Sequence, residues 1–222
     1  MEHCTSPAHG QRPALLAAAV QLQIALEEST ADRLLGFLHL LQRWNSTYNL
    51  TAVRDQADML TQHLVDCLAV LAPLHRQLGA VPRRILDVGS GGGLPGVVMA
   101  IASPESEVVC VDSVGKKAAF IRQVAAELKL PNLRGEHARV ENLRPGAFEL
   151  VTSRAFAPLA DFVSLTRQHL KPEAVWMAMK GRRPDAEIGA LPADTVVFHV
   201  EQLKVPGLDA ERCLVWIRPA PG

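Results

Sequence analysis

The chain has 222 residues, 48% of them hydrophobic and 21% charged, and its formal net charge at pH 7 is zero. That length accommodates one α/β domain with a substantial core plus a modest extension, and the composition excludes a disordered chain. No apolar run approaches membrane-spanning length and no cationic leader precedes an apolar core, so a cytoplasmic protein without a membrane partner is expected.

Residues 1–12 are polar, with Pro7, Gly10 and Pro13 nearby, and are expected to form a flexible tail. Residues 13–80 form a helical region expected to pack on the domain formed by residues 81–222. Its predicted helices are Ala14–Glu28, Ala31–Asn49 with Thr30 as cap, and Asp55–Leu71. In the second, Leu34, Leu38, Leu41, Trp44 and Tyr48 recur at helical spacing; in the third, Leu60, Leu64, Leu68 and Leu71 share a face. From residue 81 to 222 apolar strands alternate with amphipathic helices, the pattern of a mostly parallel sheet covered on both faces. A strand from Arg84 enters a glycine-rich turn, and a helix starts near Pro95. The strand Glu107–Asp112, the helix Gly115–Leu130 and short strands at Leu133–Glu136 and Glu149–Ser153 come next. A helix Pro158–Leu170 leads to a strand at Ala174–Lys180. The ending differs: Thr195–Val205 and Cys213–Arg218 are separated only by Pro206–Arg212, which makes an antiparallel hairpin rather than a crossover. A C-terminal hairpin on a parallel sheet is the Rossmann-like methyltransferase arrangement.

Between Val88 and Val97 the chain carries five glycines. Gly91, Gly93 and Gly96 fit the G-x-G-x-x-G spacing of a dinucleotide turn, a weak signal by itself. Two residues earlier, Asp87-Val88-Gly89-Ser90-Gly91-Gly92-Gly93 fits the acidic-x-Gly-x-Gly-x-Gly motif of enzymes that bind S-adenosylmethionine. That cofactor carries an ammonium and a sulfonium and no phosphate. A carboxylate at the strand end suits those cations and would repel a pyrophosphate. Asp112, ending the next strand about twenty residues on, is placed to accept hydrogen bonds from ribose hydroxyls. These features assign Asp87, Ser90, Gly91 and Asp112 to a cofactor site.

Cys4, Cys67, Cys110 and Cys213 are scattered and the histidines lack ligand spacing, so no disulfide framework and no metal site are expected. Lys116, Lys117, Arg122 and Lys180 belong to basic groups that would attract phosphates if they gather beside the turn. Solvated faces explain the same charges equally well.

A family resemblance adds to this reading. Arg43-Trp44-Asn45, Tyr48 to Asp55, and His63-Leu64-Val65-Asp66 resemble the N-terminal signature of the bacterial 16S ribosomal RNA guanine-N7 methyltransferases, also called glucose-inhibited division protein B. The glycine turn, Asp112 to Lys117, Ile121 to Val124, Ser153 to Ala157 and Met179-Lys180-Gly181 resemble the family's later motifs in the right order. The resemblance implies a class I methyltransferase fold with an N-terminal helical extension, S-adenosylmethionine as cofactor, and 16S rRNA as partner, in the small ribosomal subunit or an assembly intermediate. A monomer is favoured. It also implies that Gly89, Leu94, Val140, Glu141 and Arg154 contact the cofactor, and Arg154 is a candidate for orienting the substrate. A small-molecule methyltransferase on the same fold and a non-catalytic rRNA-binding assembly factor are the alternatives.

Overall fold

The computed structural model describes residues 8–79, 81 and 83–221, so Cys4 and residues 1–7 of the expected tail lie outside the described residues. Residues 8–12 are not a tail. They open helix α1 (Ala8–Gln21), where Arg12 pairs with Asp32. The helix stops seven residues short of its expected end. Gln23 takes a left-handed conformation with φ 58°, and Ile24 N–H bonds back to the Ala19 carbonyl, which is Schellman-type termination without a glycine. Leu22, Ile24 and Leu26 thereby turn onto the core.

Helix α2 (Glu28–Tyr48) starts three residues early, with Glu27 at the N-cap position, so Thr30 lies inside the first turn and caps nothing. It ends at Asn49, whose φ of 49° is left-handed and whose N–H bonds to Asn45 O. The predicted third helix is interrupted. Asp55 caps α3 (Gln56–Met59) by accepting from Ala57 N and Asp58 N, a π-helical segment occupies Leu60–Val65, and α4 is Asp66–Leu68. A π segment re-phases the helix by one residue and often marks a functional site. Here it carries His63 and delivers Asp66. A separate helix, α5 (Leu71–Leu78), then leads to the sheet.

The strands are β1 (Arg84–Val88), β2 (Glu107–Asp112), β3 (Leu133–His137), β4 (Phe148–Arg154), β5 (Leu170–Lys180), β6 (Thr195–Leu203) and β7 (Arg212–Pro219), in the order β3-β2-β1-β4-β5-β7-β6. The first five pair in parallel. Strand β7 pairs antiparallel with both β5 and β6, as the hairpin pattern predicts. Strand β5 begins four residues earlier than expected, because the helix before it ends as α8 (Leu159–Thr166) with a short 3-10 turn at Arg167–His169. A small helix between β5 and β6, α9 (Asp185–Gly189), has no counterpart in the sequence pattern.

The central strands are apolar throughout because both faces are covered. Ile85, Val108, Cys110, Leu150 and Met177 belong to one buried cluster, while Leu86, Val88, Val109, Val111, Val151 and Trp176 belong to the other. The first cluster also takes Leu15, Phe37, Leu41 and Leu64. The helical region and the sheet therefore share one core. Burial on this scale, at roughly 25 cal/mol per Å² of apolar surface, is the main force holding the N-terminal helices to the sheet.

Helices α6 (Gly96–Ala102) and α7 (Gly115–Glu127) come after β1 and β2 respectively. Parallel strands place the loops of β1, β2 and β4 at one edge, and the strand order reverses at β1/β4. Ligands of open α/β sheets bind in that crevice. Leu41 of α2 reaches the same edge, since a Cβ on Gly92 would sit 2.9 Å from its Cδ1. Gly96 is required by packing: an added Cβ would lie 2.4 Å from Cys110 Sγ and 2.8 Å from Asp87 Oδ2.

Candidate functional site

Two cavities open at the carboxyl edge of the sheet and share Ala155. The first, about 380 Å³, is lined by Gly89, Asp112, Val114, Val140, Glu141 and Phe156 among others. The second, about 300 Å³, is lined by residues that include His63, Asp66, Arg154, Lys180 and Arg212.

The first cavity is built on the glycine turn. Gly89 has φ 64°, and a Cβ there would meet Phe156 Cδ2 at 2.4 Å, so only glycine lets that ring close against the turn. Asp112 organises the rest. Its Oδ2 accepts from Gly91 N at 3.0 Å and its Oδ1 from Val114 N at 2.8 Å, with Lys117 Nζ 3.7 Å from Oδ2. A carboxylate has about four acceptor positions, so two remain for further donors.

Of the other residues assigned to a cofactor site, Val140 and Glu141 line this cavity, whereas Arg154 lines the second. Leu94 and Ser90 are buried, Leu94 within the core, and neither lines either of these two cavities. Gly91 contributes its N–H to Asp112. Asp87 differs from the expectation most. Its side chain is fully buried beneath the turn, where Oδ2 accepts from Gly96 N at 2.9 Å and Oδ1 has no protein partner. It holds the turn from below, through Gly96 N.

Burial pushes the Asp87 carboxyl from 3.8 up to about 7, against the Gly96 hydrogen bond and the Arg154 charge, which favour ionisation. The folded protein therefore holds this proton more tightly than the unfolded chain does. The resulting stability is fully present below pH 3.8 and is lost as pH rises to about 7. We expect Asp87→Asn, which keeps an acceptor for Gly96 N–H, to remove that dependence. Denaturant unfolding of both proteins between pH 4 and 8 tests it; a stability difference that does not change with pH would refute the assignment.

The second cavity is cationic. Asp66, 1% exposed, accepts from Arg154 Nη1 at 3.1 Å and from Arg212 Nε at 3.0 Å. One buried carboxylate thus serves two guanidinium groups and leaves an excess positive charge facing the cavity. Arg154 Nη1 also donates to the Gln62 carbonyl at 2.9 Å. His63 Nε2 lies 2.9 Å from Thr51 Oγ1, while Nδ1 is buried without a partner. Burial, reinforced by Arg154, lowers the His63 pKa to about 4 and keeps the ring neutral. Arg212 is absent from the sequence-based site. Its partner is 146 residues away, and no local pattern connects them.

The basic residues expected to meet RNA divide. Lys180 Nζ is held by Glu187 at 2.7 Å and Ala157 O at 3.2 Å, and Lys117 pairs with Asp112. Lys116 is exposed, and Arg122 is exposed with Nη1 on the Gly135 carbonyl. Lys116 and Lys117 sit in the first turn of α7 without any acid there. Cations at a helix N-terminus are unfavourable by a few tenths of a kcal/mol, roughly 0.3–1. An anion at this edge would offset that. Among the described residues no group of three or more His, Cys, Asp or Glu could hold a metal ion, and no helix is long and apolar enough to cross a membrane.

The family model for GidB, rRNA small subunit methyltransferase G, matches residues 30–215. The chain belongs to this family. Ribosomal RNA small subunit methyltransferase G of Leptothrix cholodnii is 62% identical over 208 residues, covering 94% of this chain and 95% of the relative. The same-named protein of Verminephrobacter eiseniae is 58% identical over 227 residues, with 94% and 95% covered. As a member of the rRNA small subunit methyltransferase G family, the chain is a methyltransferase that uses S-adenosylmethionine. Solved structures agree on the Rossmann-like class I fold. An S-adenosylmethionine-dependent methyltransferase from Leishmania major superposes with a TM-score of 0.60 at 15% identity, covering 82% of this chain and 83% of that one. TrmN from Thermus thermophilus gives 0.54 at 20% identity, covering 72% and 53%.

Proposed function

We propose that the protein methylates guanine N7 of 16S ribosomal RNA, with S-adenosylmethionine in the first cavity and the acceptor guanine in the second. The observation that carries this reading is the pair of cavities meeting at Ala155, one part apolar with its acids Asp112 and Glu141 balanced by Lys117 and Arg139, the other cationic. The names of the close relatives supply the rRNA. Residues of the first cavity fit the cofactor: Gly89 keeps the turn free of a side chain beside Phe156, and the Asp112 carboxylate at the cavity wall has acceptor positions beyond those that Gly91 N–H and Val114 N–H fill. Asp112 would accept from the ribose, while Val114, Ala138 and Val140 offer apolar contact to adenine. When bound, S-adenosylmethionine supplies a methyl group on a cationic sulfur.

Guanine N7 is an unprotonated major-groove acceptor, so no side chain need remove a proton. That accords with a neutral His63 and with high thiol pKa values at Cys67 and Cys110, both pushed up by burial. The protein's task is alignment, which in well-oriented model reactions is worth on the order of 7–11 kcal/mol. Arg154, pinned by Asp66 and the Gln62 carbonyl, would address guanine O6 or a neighbouring phosphate with its remaining donors. Lys116, Lys117, Arg122 and Lys180 would add salt-sensitive attraction for RNA.

The decisive experiment incubates the protein with labelled S-adenosylmethionine and undermethylated small subunits, then maps the label by cleavage at N7-methylguanine. A single labelled guanine in 16S rRNA is expected. Label on another atom, or none on RNA, would overturn the proposal.

A further inference from the structure

Behind the first cavity, the 3-10 turn Arg167–His169 supplies two successive side chains to the loop that carries Val140 and Glu141. His169 is fully buried. Its Nε2 lies 2.9 Å from the Val140 carbonyl oxygen, and its Nδ1 lies 3.3 Å from Gly146 N. Donating to a carbonyl while accepting from a backbone N–H requires the neutral ring with its proton on Nε2. Gln168 Nε2 donates to the next carbonyl, Glu141 O, at 3.2 Å. Two adjacent residues of the cavity wall are therefore each held through the backbone, and the same imidazole ties down the far end of their loop.

The turn is itself anchored. Thr166 Oγ1 donates to Phe162 O at 2.6 Å and accepts from Trp176 Nε1 at 2.8 Å, both within the core. Helix α8, which leads into the turn, also reaches another part of the cavity: Phe162 meets Phe156 edge-on, with ring centroids 6.5 Å apart. One element braces both the Val140 and the Phe156 sides.

We propose that His169 is a positioning residue for cofactor binding, acting through the Nε2–H bond to the Val140 carbonyl and never touching the cofactor itself. This rests on the reading of the first cavity as the cofactor site. The loop must keep its shape for Val140 to lie against the adenine, and the imidazole is the group that crosses the loop from Val140 to Gly146. Truncating it takes from the Val140 carbonyl its shorter bond, leaving only Leu143 N–H at 3.2 Å, and strips the part-buried Gly146 N–H of its acceptor, a loss that falls on the loop.

The test is calorimetric titration of the full chain with S-adenosylhomocysteine, alongside steady-state methyl transfer. His169→Gln places an amide N–H near the Nε2 position; His169→Asn replaces only the Nδ1 acceptor. The Kd is expected to rise about tenfold or more in His169→Asn and His169→Ala, and to stay within about threefold in His169→Gln. The kcat at saturating cofactor is expected to stay within about threefold in all three, since no residue of the loop lines the second cavity. Unchanged Kd in the Asn and Ala variants would overturn the proposal. So would equal losses in all three that track their melting temperatures, because a purely structural role predicts no rescue by Gln. If the Ala variant does not fold, Gln168→Ala removes the exposed partner bond and should still raise Kd about twofold. Asp112→Asn is titrated in parallel: no change there would instead refute the cofactor reading of the cavity.

Discussion

Arg154→Ala is expected to lower methyl transfer by about a hundredfold or more while leaving S-adenosylmethionine affinity within a few-fold. The magnitude is that of removing one preorganised charged donor from a reacting centre, about 10²–10³ in rate. The asymmetry comes from position, since Arg154 lines the second cavity and not the first. Truncation also leaves Asp66 buried with Arg212 as its sole remaining cation among the described residues, so the variant is expected to lose stability as well. Arg154→Lys separates the effects. It keeps a charge near Asp66 but lacks the planar fork, so it should restore the melting temperature without restoring the rate. Isotope transfer and calorimetry on the same preparations check this; equal losses of rate and cofactor affinity would reassign Arg154 to the cofactor site.

Asp112→Ala should act in the opposite sense, weakening the cofactor first. The carboxylate holds Gly91 N–H and Val114 N–H, and hydrogen bonds to a charged group are worth about 1.5–3 kcal/mol each. A Kd increase of roughly 10–100-fold is expected, with a fall in stability because the glycine turn loses its anchor. Asp112→Asn keeps one acceptor and removes the charge opposite Lys117. It should retain most of the stability and still bind the cofactor weakly. Unchanged affinity in the Asn variant would remove Asp112 from the ribose role.

Much of the sheet was legible because each central strand carries its own signal. Val108 to Val111 cannot be half-exposed, and a hairpin is the only connection that Pro206–Arg212 can make. Gly89 and Asp112 were legible for a similar reason: a turn that needs positive φ and an acid at a strand end are local features. What escaped was set by partners distant in the chain. Helix α1 ends at Gln21, and the chain turns at Gln23, because three apolar residues around that turn are drawn to the core, and no glycine announces the stop. The π segment looks like ordinary helix in its apolar spacing, since Leu60 and Leu64 are buried in either form. Asp87 was placed at the correct strand end, yet the sequence could not say that it lies under the turn. His169 looked like any polar residue at a helix end. Its meaning comes from Val140 and Gly146, which only the tertiary fold brings to it.

The sheet order has a consequence for assembly in time. Strand β6 pairs with β7 alone, and β7 stands between it and β5, so β6 has no place on the sheet until the strand after it arrives. Arg212 enters with that last strand and is the second cation on Asp66. During folding, the carboxylate of the N-terminal region must therefore wait for the C-terminal strand before its charge is fully matched. Completion of the sheet and electrostatic closure of the second cavity are one event, and neither can precede synthesis of β7.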